Sequence, residues 1–548
     1  MAKLNSLQDV LELARTATPE TVSEALKQIY PAVVELGLTE VETSQVLSAL
    51  NGATGATLTD LRKDLATYLK VNGLTAERDS VGTVIVKLAL ERGLEMWHDP
   101  ERNPWATLRI SGHTEHYLLK KKAIRRYLAY LYFQEHQSAA HAQGVQDALI
   151  TLEAKAMFEG PEYPTFVRLA EFDGVIYLDL ANESWQVVRV SSQGWEVMEA
   201  DTVPVRFRRA HGMLPLPIPV EGGALAELAE LLNVSIESRD WKLIVAWLLQ
   251  ALRGTGPYPV LVLNGGQGSG KSTAAKMLRA LLDPNVSPLR SLSRDERDLF
   301  ITAINGWALA FDNISGLSQW ISDALCKLAT GGGLAVRELY SDAEETLLEA
   351  LRPVVLNGIT DFVDKQDLVD RALQVHLPTI PKAERKTEKE IWAKFDAAQP
   401  RILGALLGTV ASGLQHLPLT TLEGLPRLAD FALWATACES PLGWQLGAFM
   451  TAFQDAQDDL IKDALEAEPV AVALLSLLTP DRAEWIGTAS VLLTELTAHA
   501  YGDKRPPKGW PGAPHVLVGA LKRIAPALLA HGLEVTQLNR DGKKGNKR

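Results

Sequence analysis

The chain has 548 residues, of which 47% are hydrophobic and 22% charged, and its formal net charge is −12. Because domains usually contain about 100–200 residues, this length predicts several of them. The two cysteines, Cys326 and Cys438, exclude a disulfide framework and a four-thiolate zinc site, and they indicate a reducing cytoplasm. The acidic total argues against a passive nucleic-acid coat protein, although residues 503–548 carry ten Lys/Arg and three Asp/Glu.

Residues 1–75 are predicted to form a helical N-terminal domain. Apolar residues recur at helical spacing from Leu7 and again from Val22. The N-terminus lacks a basic run followed by a long apolar stretch, and no apolar stretch reaches the roughly 18–20 residues that span a membrane. We therefore expect a cytoplasmic protein with no membrane partner.

Residues 76–235 are predicted to form a mixed α/β accessory domain. Short runs rich in β-branched residues, in residues 83–97, 175–180 and 204–209, are typical of strands, and residues 118–157 have a helical pattern. His113 and His116 have no evident third partner, so we expect surface histidines rather than a metal site. The Pro- and Gly-rich residues 214–223 are interpreted as a linker.

The strongest motif lies in the next predicted domain, residues 236–382, where strands and helices alternate as in a parallel sheet covered by helices. Four consecutive apolar residues, Val260–Leu263, precede a sequence that fits G-x-x-x-x-G-K-[ST], and a helical pattern follows. Strand, glycine loop and helix in this order predict a site for the phosphates of ATP. The residues assigned to it are Gly265, Gly266, Gln267, Gly268, Ser269, Gly270, Lys271, Ser272 and Thr273.

Two later strands end in polar residues. Asp312 follows the apolar run Trp307–Phe311, and Asn357 follows Val354–Leu356. Because ligands bind at the carboxyl ends of parallel strands, Asp312 and Ser272 are predicted to hold Mg²⁺. Asn357 is predicted to orient the attacking water.

Taken together, GGQGSGKST, WALAFDN, KLATGGGLAVRELYSD and RPVVLNG resemble the motifs of superfamily 3 helicases, and in particular the phage- and plasmid-type primase-helicases. The resemblance covers residues 240–380, about a quarter of the chain. It implies a multidomain α/β protein with an AAA+ core and a ring, usually of six subunits, with ATP between neighbours. An arginine from the next subunit then reaches the ATP. Arg371 best matches that position, and Arg337 is the next candidate, either for ATP or for DNA.

The chain departs from the family at two places. Asn313 follows Asp312 where many relatives have a second carboxylate, and an amide cannot act as a general base. The segment after the T-G-G stretch is acidic at Asp342, Glu344 and Glu345, where relatives have a basic hairpin for DNA. Residues 1–240 contain no D-x-D, so we expect no primer synthesis.

Residues 383–478 are predicted to be helical, and residues 479–548 resemble a winged helix. The C-terminal segment has two helices, an Asp541-Gly542 turn and a basic end. The cations predicted to contact DNA are Lys522, Arg523, Lys543 and Lys544, in addition to Arg337.

The sequence leaves two hypotheses for function. The first is an ATP-dependent DNA helicase or translocase that acts as a ring on single-stranded or forked DNA of a phage or mobile element. The second is an ATP-switched initiator or loader that binds DNA without unwinding it, which Asn313 favours.

Overall fold

The computed structural model describes residues 4–74, 79–110, 112–337, 345–358, 363, 365–479, 482–502 and 504–537. The chain divides into two compact units. The first contains Met1–Met96 and Leu118–Glu159, and the second contains Trp97–Tyr117 and Gly160–Arg548. The first unit therefore takes in segments on both sides of the boundary predicted at residue 75.

The first unit is helical, as the periodicity of its N-terminal part predicts. Buried apolar residues such as Val10, Ile29 and Leu50 form the shared core of its first four helices. Ser6 and Thr39 cap two of these helices by accepting hydrogen bonds from backbone N–H groups. The helices are α1 (Leu7–Thr16), α2 (Val22–Glu35), α3 (Glu40–Thr54), α4 (Leu58–Val71), α5 (Val81–Glu91), α6 (Lys122–His136) and α7 (Ala142–Phe158).

The strand expected in residues 83–97 is wrong for most of this range, because residues up to Glu91 form helix α5, and only residues 95–97 lie in a strand. The Ser80 side chain accepts a hydrogen bond from the Thr83 N–H and starts the helix. Ile85 and Ala89, four residues apart, are both fully buried, so helical periodicity outweighs β-branched composition here. Close packing of α5 on α7 depends on glycine, because a Cβ on Gly144 would lie 2.6 Å from a Val81 methyl carbon.

Several short strands precede the centre of the second unit, and four of them, in residues 169–199, pair antiparallel. The first sheet has the order β1 (Glu95–His98), β2 (Pro104–Ile110), β3 (His113–Leu118). Two short strands, β4 (Thr165–Phe166) and β9 (Arg206–Phe207), pair in parallel. The second sheet has the order β5 (Leu169–Phe172), β6 (Val175–Asp179), β7 (Gln186–Ser191), β8 (Gly194–Glu199). The strands predicted at residues 175–180 and 204–209 are thus confirmed.

A four-stranded parallel sheet forms the centre of the second unit. Its order is β11 (Leu309–Ile314), β14 (Val354–Gly358), β10 (Val260–Asn264), β15 (Ala372–His376). Strand β10, one of the two inner strands, is buried on both faces. Its Leu261 and Leu263 pack in one hydrophobic core, and its Val260 and Val262 pack in another. Two further strands, β12 (Gly333–Arg337) and β13 (Glu345–Glu349), pair antiparallel apart from this sheet. The parallel sheet and the mixed α/β class predicted from the sequence are confirmed.

Helices surround the parallel sheet and extend to the C-terminus. Those near the sheet are α8 (Ala226–Leu232), α9 (Arg239–Ala251), α10 (Lys271–Leu282), α11 (Glu296–Ile304), α12 (Gln319–Thr330) and α13 (Gln366–Val369). The later ones are α14 (Glu388–His416), α15 (Ala429–Ala437), α16 (Ala448–Ala467), α17 (Pro469–Leu477), α18 (Ala489–Tyr501) and α19 (Pro514–Ala530). Helices α17, α18 and α19 share a core with the end of α16.

Helix α14 is a core element of the second unit. Among the helices that the structure describes, Glu388–Leu419 is long and apolar enough to cross a membrane by length and composition, and half of its most apolar window is buried inside the fold. Its Ile402, Leu406 and Val410 are fully buried. The predicted linker, residues 214–223, packs directly on α14, because the Val220 N–H donates to the Pro400 carbonyl at 2.9 Å.

A buried ion pair joins the antiparallel sheet of β5–β8 to the end of α10. Arg168, just before β5, donates from Nε to Asp283 Oδ1 at 3.0 Å, and their side chains are 0% and 1% exposed. The other Arg168 nitrogens donate to the carbonyls of Asp179 and Leu214. The second oxygen of Asp283 accepts from the Trp307 N–H. Because every partner is satisfied, this charge pair is compatible with burial.

Candidate functional site

The glycine loop joins β10 to α10 in a conformation that requires glycine. Gly265, Gly268 and Gly270 have φ angles of 149°, 84° and 79°, which disfavour other residues. A Cβ on Gly265 would lie 2.5 Å from the Leu377 carbonyl oxygen, so this position also lacks space. Ser269 is buried, while Gly266, Gln267 and Gly268 are exposed. The exposed backbone of the loop therefore lies at the N-terminus of α10, where a helix attracts anions.

Lys271 is the first residue of α10, and its ammonium group lies against the loop. Nζ donates to the carbonyl oxygens of Gly265 at 2.6 Å and Gly266 at 3.0 Å. Burial lowers the pKa of Lys271, and the nearby charge of Asp312 acts in the opposite direction. The loop thus positions a cation at the helix terminus predicted to bind phosphates.

Three predicted site residues meet at the carboxyl ends of neighbouring strands. The Ser272 hydroxyl donates to Asp312 Oδ1 at 3.2 Å. Asn357 Nδ2 lies 2.6 Å from the same carboxylate oxygen and 3.0 Å from Ser272 Oγ. Since β14 lies between β10 and β11, its last residues are held between the helix that carries Ser272 and the strand that carries Asp312. Asn357 is 2% exposed, so its amide is fixed in this position.

Asn313 lies beside this cluster in an unusual backbone conformation. Its φ angle is 59°, and the register of β11 against β14 shifts between Phe311 and Ile314. Its backbone N–H donates to Asp312 Oδ1 at 2.7 Å, while the residue itself is exposed. The irregularity therefore adds a backbone donor to Asp312 and turns an amide, not a carboxylate, toward solvent.

Arg371 does not join this cluster. It directly precedes β15, and its carbonyl accepts from the Val260 N–H at the opposite edge of the sheet. Its guanidinium donates to the Asp367 carbonyl at 2.6 Å and lies 3.9 Å from Cys326 Sγ, with 19% of the side chain exposed. A residue that acts on a neighbouring subunit need not lie near its own loop, so its predicted role stays a prediction.

The residues predicted to contact DNA are described only in part. Lys522 and Arg523 are exposed on α19, and Arg523 lies 3.3 Å from Glu468. Lys543 and Lys544, with the expected Asp541-Gly542 turn, lie outside the described residues, as does the side chain of Arg337. The described chain after α19, to residue 537, forms no strand. Their DNA contacts stay predictions.

The basic segment 206–209 is engaged inside the fold. Arg206 lies over the rings of Trp97 and Tyr163, at 4.6 and 3.9 Å from their centroids. Arg209 forms two hydrogen bonds with the Asp179 carboxylate. These contacts engage two of the segment's arginines within the second unit, in the range that the sequence predicts as a strand.

The two histidines are also part of the structure. His116 is half-buried, and its Nδ1 lies 2.8 Å from Thr107 Oγ1. Burial, with a contribution from Arg206, lowers the pKa of His116 to about 4. His113 stacks on Trp185 at 5.1 Å. The expectation of surface histidines is therefore corrected: both rings pack against neighbouring side chains.

Arg385 lies against the glycine loop, although the sequence does not mark it as a site residue. Its guanidinium Nη2 lies 2.7 Å from the position that a Cβ on Gly268 would occupy. The local signal is weak, because Arg385 stands among other cations in the sequence PKAERKTEKE. The sequence does indicate where the preceding turn ends, because Thr387 and Glu390 form a capping box at the start of α14. Arg385 lies in that turn.

Comparisons with known proteins agree with a role in replication. A family model of the actinomycete integrative conjugative element replication protein matches residues 225–463, and the model of the RepA C-terminal domain of these elements matches residues 470–548. This chain is a replication protein of a mobile element. The first match contains the whole glycine-loop site, and the second contains α18 and α19 of the replication protein. No curated protein matches the chain.

Solved structures give only distant similarity. Two structures of the apo C-terminal region of NrS-1 align with the replication protein at TM-scores of 0.36 and 0.38, with 13% and 11% sequence identity. The alignments cover 76% and 84% of this chain and 85% and 98% of the solved chains. These TM-scores are too low to establish a shared fold.

Proposed function

We propose that this replication protein is an ATP-dependent DNA helicase or translocase that acts as an oligomeric ring, with an AAA+ core and a winged-helix-like C-terminal domain. One observation carries the proposal: Ser272, Asp312 and Asn357 converge beside a glycine loop at the carboxyl edge of a parallel sheet. This is the place where open α/β sheets bind ligands. The match to replication proteins of mobile elements supports DNA as the partner.

The residues present fit ATP and Mg²⁺. The Ser272 hydroxyl and the Asp312 carboxylate offer oxygen ligands, which Mg²⁺ prefers, and they lie 3.2 Å apart. The loop places backbone N–H groups and Lys271 where phosphates would bind. Bound Mg²⁺ would neutralise charge on the transferring phosphoryl group. Asn357, fixed by its two contacts, would orient the attacking water.

Asn313 supports a second candidate, an ATP-switched initiator or loader that binds DNA without unwinding it. Its amide cannot accept the proton of the attacking water. Water activation would then depend on positioning by Asn357, and turnover would be slow. A slow ATPase suits a switch better than a motor.

Two assays on the full-length protein separate these candidates. The first measures ATP hydrolysis with and without single-stranded DNA, and the second measures strand displacement on a forked duplex. A motor predicts both DNA-stimulated hydrolysis and displacement. Hydrolysis without displacement would favour the switch, and absence of hydrolysis in every condition would contradict the motor.

The ring proposal gives Arg371 a role in the site of a neighbouring subunit. Such an arginine is worth about 10³–10⁵ in rate in related phosphoryl-transfer enzymes. In Arg371→Ala the loop is intact, and in Lys271→Ala the arginine is intact. We therefore expect each variant alone to be inactive and their mixture to regain part of the activity. A mixture that stays inactive, although particle images show mixed rings, would exclude a role of Arg371 across subunits.

Arg427→Ala is the matched control for this experiment. Arg427 donates to the Asp370 carboxylate, next to Arg371 in the chain, and is 45% exposed. Because exposed ion pairs contribute only about 0–1 kcal/mol, we expect hydrolysis close to that of the unmodified protein.

A further inference from the structure

The segment that follows β15 lies directly along the glycine loop. The Leu377 N–H donates to the Asn264 carbonyl at 2.9 Å, and the Ile380 N–H donates to the Gly268 carbonyl at 3.2 Å. A Cβ on Gly266 would lie 3.2 Å from Thr379 Oγ1. Residues 377–380 of the same chain therefore pack along one side of the glycine loop.

A tight turn then brings Arg385 back to the loop. The short 3-10 helix Lys382–Glu384 reverses the chain, and α14 begins at Glu388. The Arg385 Nε donates to the Ile380 carbonyl at 3.3 Å. This hydrogen bond holds the guanidinium close to Ile380, whose N–H donates to the Gly268 carbonyl. Its Nη2 then lies 2.7 Å from the position of a Cβ on Gly268. Any side chain at position 268 would meet this guanidinium.

The charge of Arg385 is available for a ligand. The residue is exposed, and among the ion pairs of the described residues it has no carboxylate partner. By contrast, Lys276 on α10 and Lys394 on α14 each lie near a carboxylate. Lys276 pairs with Glu388, and Lys394 lies 4.0 Å from Glu230. A guanidinium presents several donors in one plane, a geometry that suits phosphate oxygens.

Lys271 and Arg385 contact different parts of the loop. Lys271 donates to the carbonyls of Gly265 and Gly266, whereas Arg385 lies against Gly268. A phosphate chain on this loop would therefore contact one cation at the N-terminus of α10, Lys271, and a second cation, Arg385, from the turn before α14.

We propose that Arg385 binds the phosphates of ATP in the site of its own subunit, as a second cation in addition to Lys271. This inference rests on the proposed nucleotide site and assigns it a residue. Because ATP carries one more phosphate than ADP, the guanidinium contributes more to the binding of ATP. Arg385 acts within its subunit, in contrast to the role proposed for Arg371.

The test measures binding of fluorescent ATP and ADP analogues, with Mg²⁺, to the full-length protein and its variants. Hydrogen bonds to charged groups contribute about 1.5–3 kcal/mol, so Arg385→Ala should weaken ATP binding about tenfold or more. ADP binding should weaken less, and Arg385→Lys should be intermediate because it keeps the charge but not the planar donors. Lys382→Ala, an exposed cation in the same turn, should bind like the unmodified protein.

Three outcomes decide the matter. Unchanged ATP binding in Arg385→Ala overturns the inference. An equal loss for ATP and ADP, together with a lower thermal midpoint, also overturns it, because that pattern shows a structural role for the turn. If the unmodified protein itself binds no nucleotide, the proposed function fails instead, so the two failures are distinguishable.

Subunit mixing separates a role within the subunit from one across subunits. Arg385→Ala and Lys271→Ala would damage the same site, so each subunit of a mixed ring keeps a defective site. We expect no recovery of hydrolysis in that mixture. Recovery would show that Arg385 acts on the neighbouring site and would overturn the proposal.

Discussion

At the carboxyl edge of the parallel sheet, side chains from α10, β11 and β14 form hydrogen bonds with one another. The cations of α19, in contrast, are exposed at the surface. Asn357 contacts both Ser272 and Asp312, and it is buried. Lys522 and Arg523 are exposed, and Arg523 reaches a single carboxylate. A site for chemistry needs fixed atoms, because small displacements reduce the rate. Contacts to a phosphate backbone need mainly charge at a surface.

The largest expected effect concerns the packing that supports the proposed nucleotide site. Arg168→Met leaves the Asp283 charge buried without its partner, and such a loss costs about 3–5 kcal/mol. We expect a correspondingly lower resistance to urea, followed by fluorescence and circular dichroism. Arg189→Met is the control, because its ion pair with Glu196 in the same antiparallel sheet is exposed and contributes about 0–1 kcal/mol. Equal midpoints for the two variants would show that the buried pair does not hold the end of α10.

The next effect concerns the polar cluster itself. Asp312→Asn keeps the shape of the side chain and removes its charge, so the proposed Mg²⁺ site would lose a ligand. Because metal stabilisation of a transition state is worth several kcal/mol, hydrolysis should fall at least about 100-fold. Asp323→Asn, an exposed position on α12, should leave hydrolysis unchanged. Retained turnover in Asp312→Asn would place the metal elsewhere.

The smallest effect is expected at α19. Replacing both Lys522 and Arg523 by alanine removes two cations that are candidates for phosphate binding. The slope of log affinity against log salt for duplex DNA should become shallower by about 0.9 for each phosphate that is no longer neutralised. Lys63→Ala with Lys70→Ala on α4 changes the net charge equally and serves as the control. An unchanged slope in the α19 variant would remove this helix from the DNA interface.

The sequence predicts the convergence of Ser272, Asp312 and Asn357 beside the glycine loop because the geometry of this region is local. The strand, the glycines and the helix follow one another directly in the chain, and Asp312 and Asn357 each lie near the carboxyl end of a strand of one sheet. The carboxyl ends of parallel strands meet at one edge, so convergence follows from the topology.

Contacts between distant segments were not predictable in this way. Arg168 and Asp283 are 115 residues apart, and nothing in either local sequence marks the pair. Arg385 reaches Gly268 only because a turn returns the chain to the loop, and its sequence resembles a solvated basic run. The β-branched residues of α5 suggested a strand, but this segment is a helix whose buried residues recur at helical spacing. Composition was therefore the weaker guide to its secondary structure.

The most direct test of the proposed nucleotide site is calorimetry of ATP binding with and without Mg²⁺, on the full-length protein and on Lys271→Ala. We expect Mg²⁺-dependent binding with one ATP per subunit, and loss of that binding in Lys271→Ala. Lys276→Ala, on the same helix and paired with Glu388, should bind like the unmodified protein. Absence of Mg²⁺-dependent binding in the unmodified protein, or equal binding in Lys271→Ala, would contradict the proposed site.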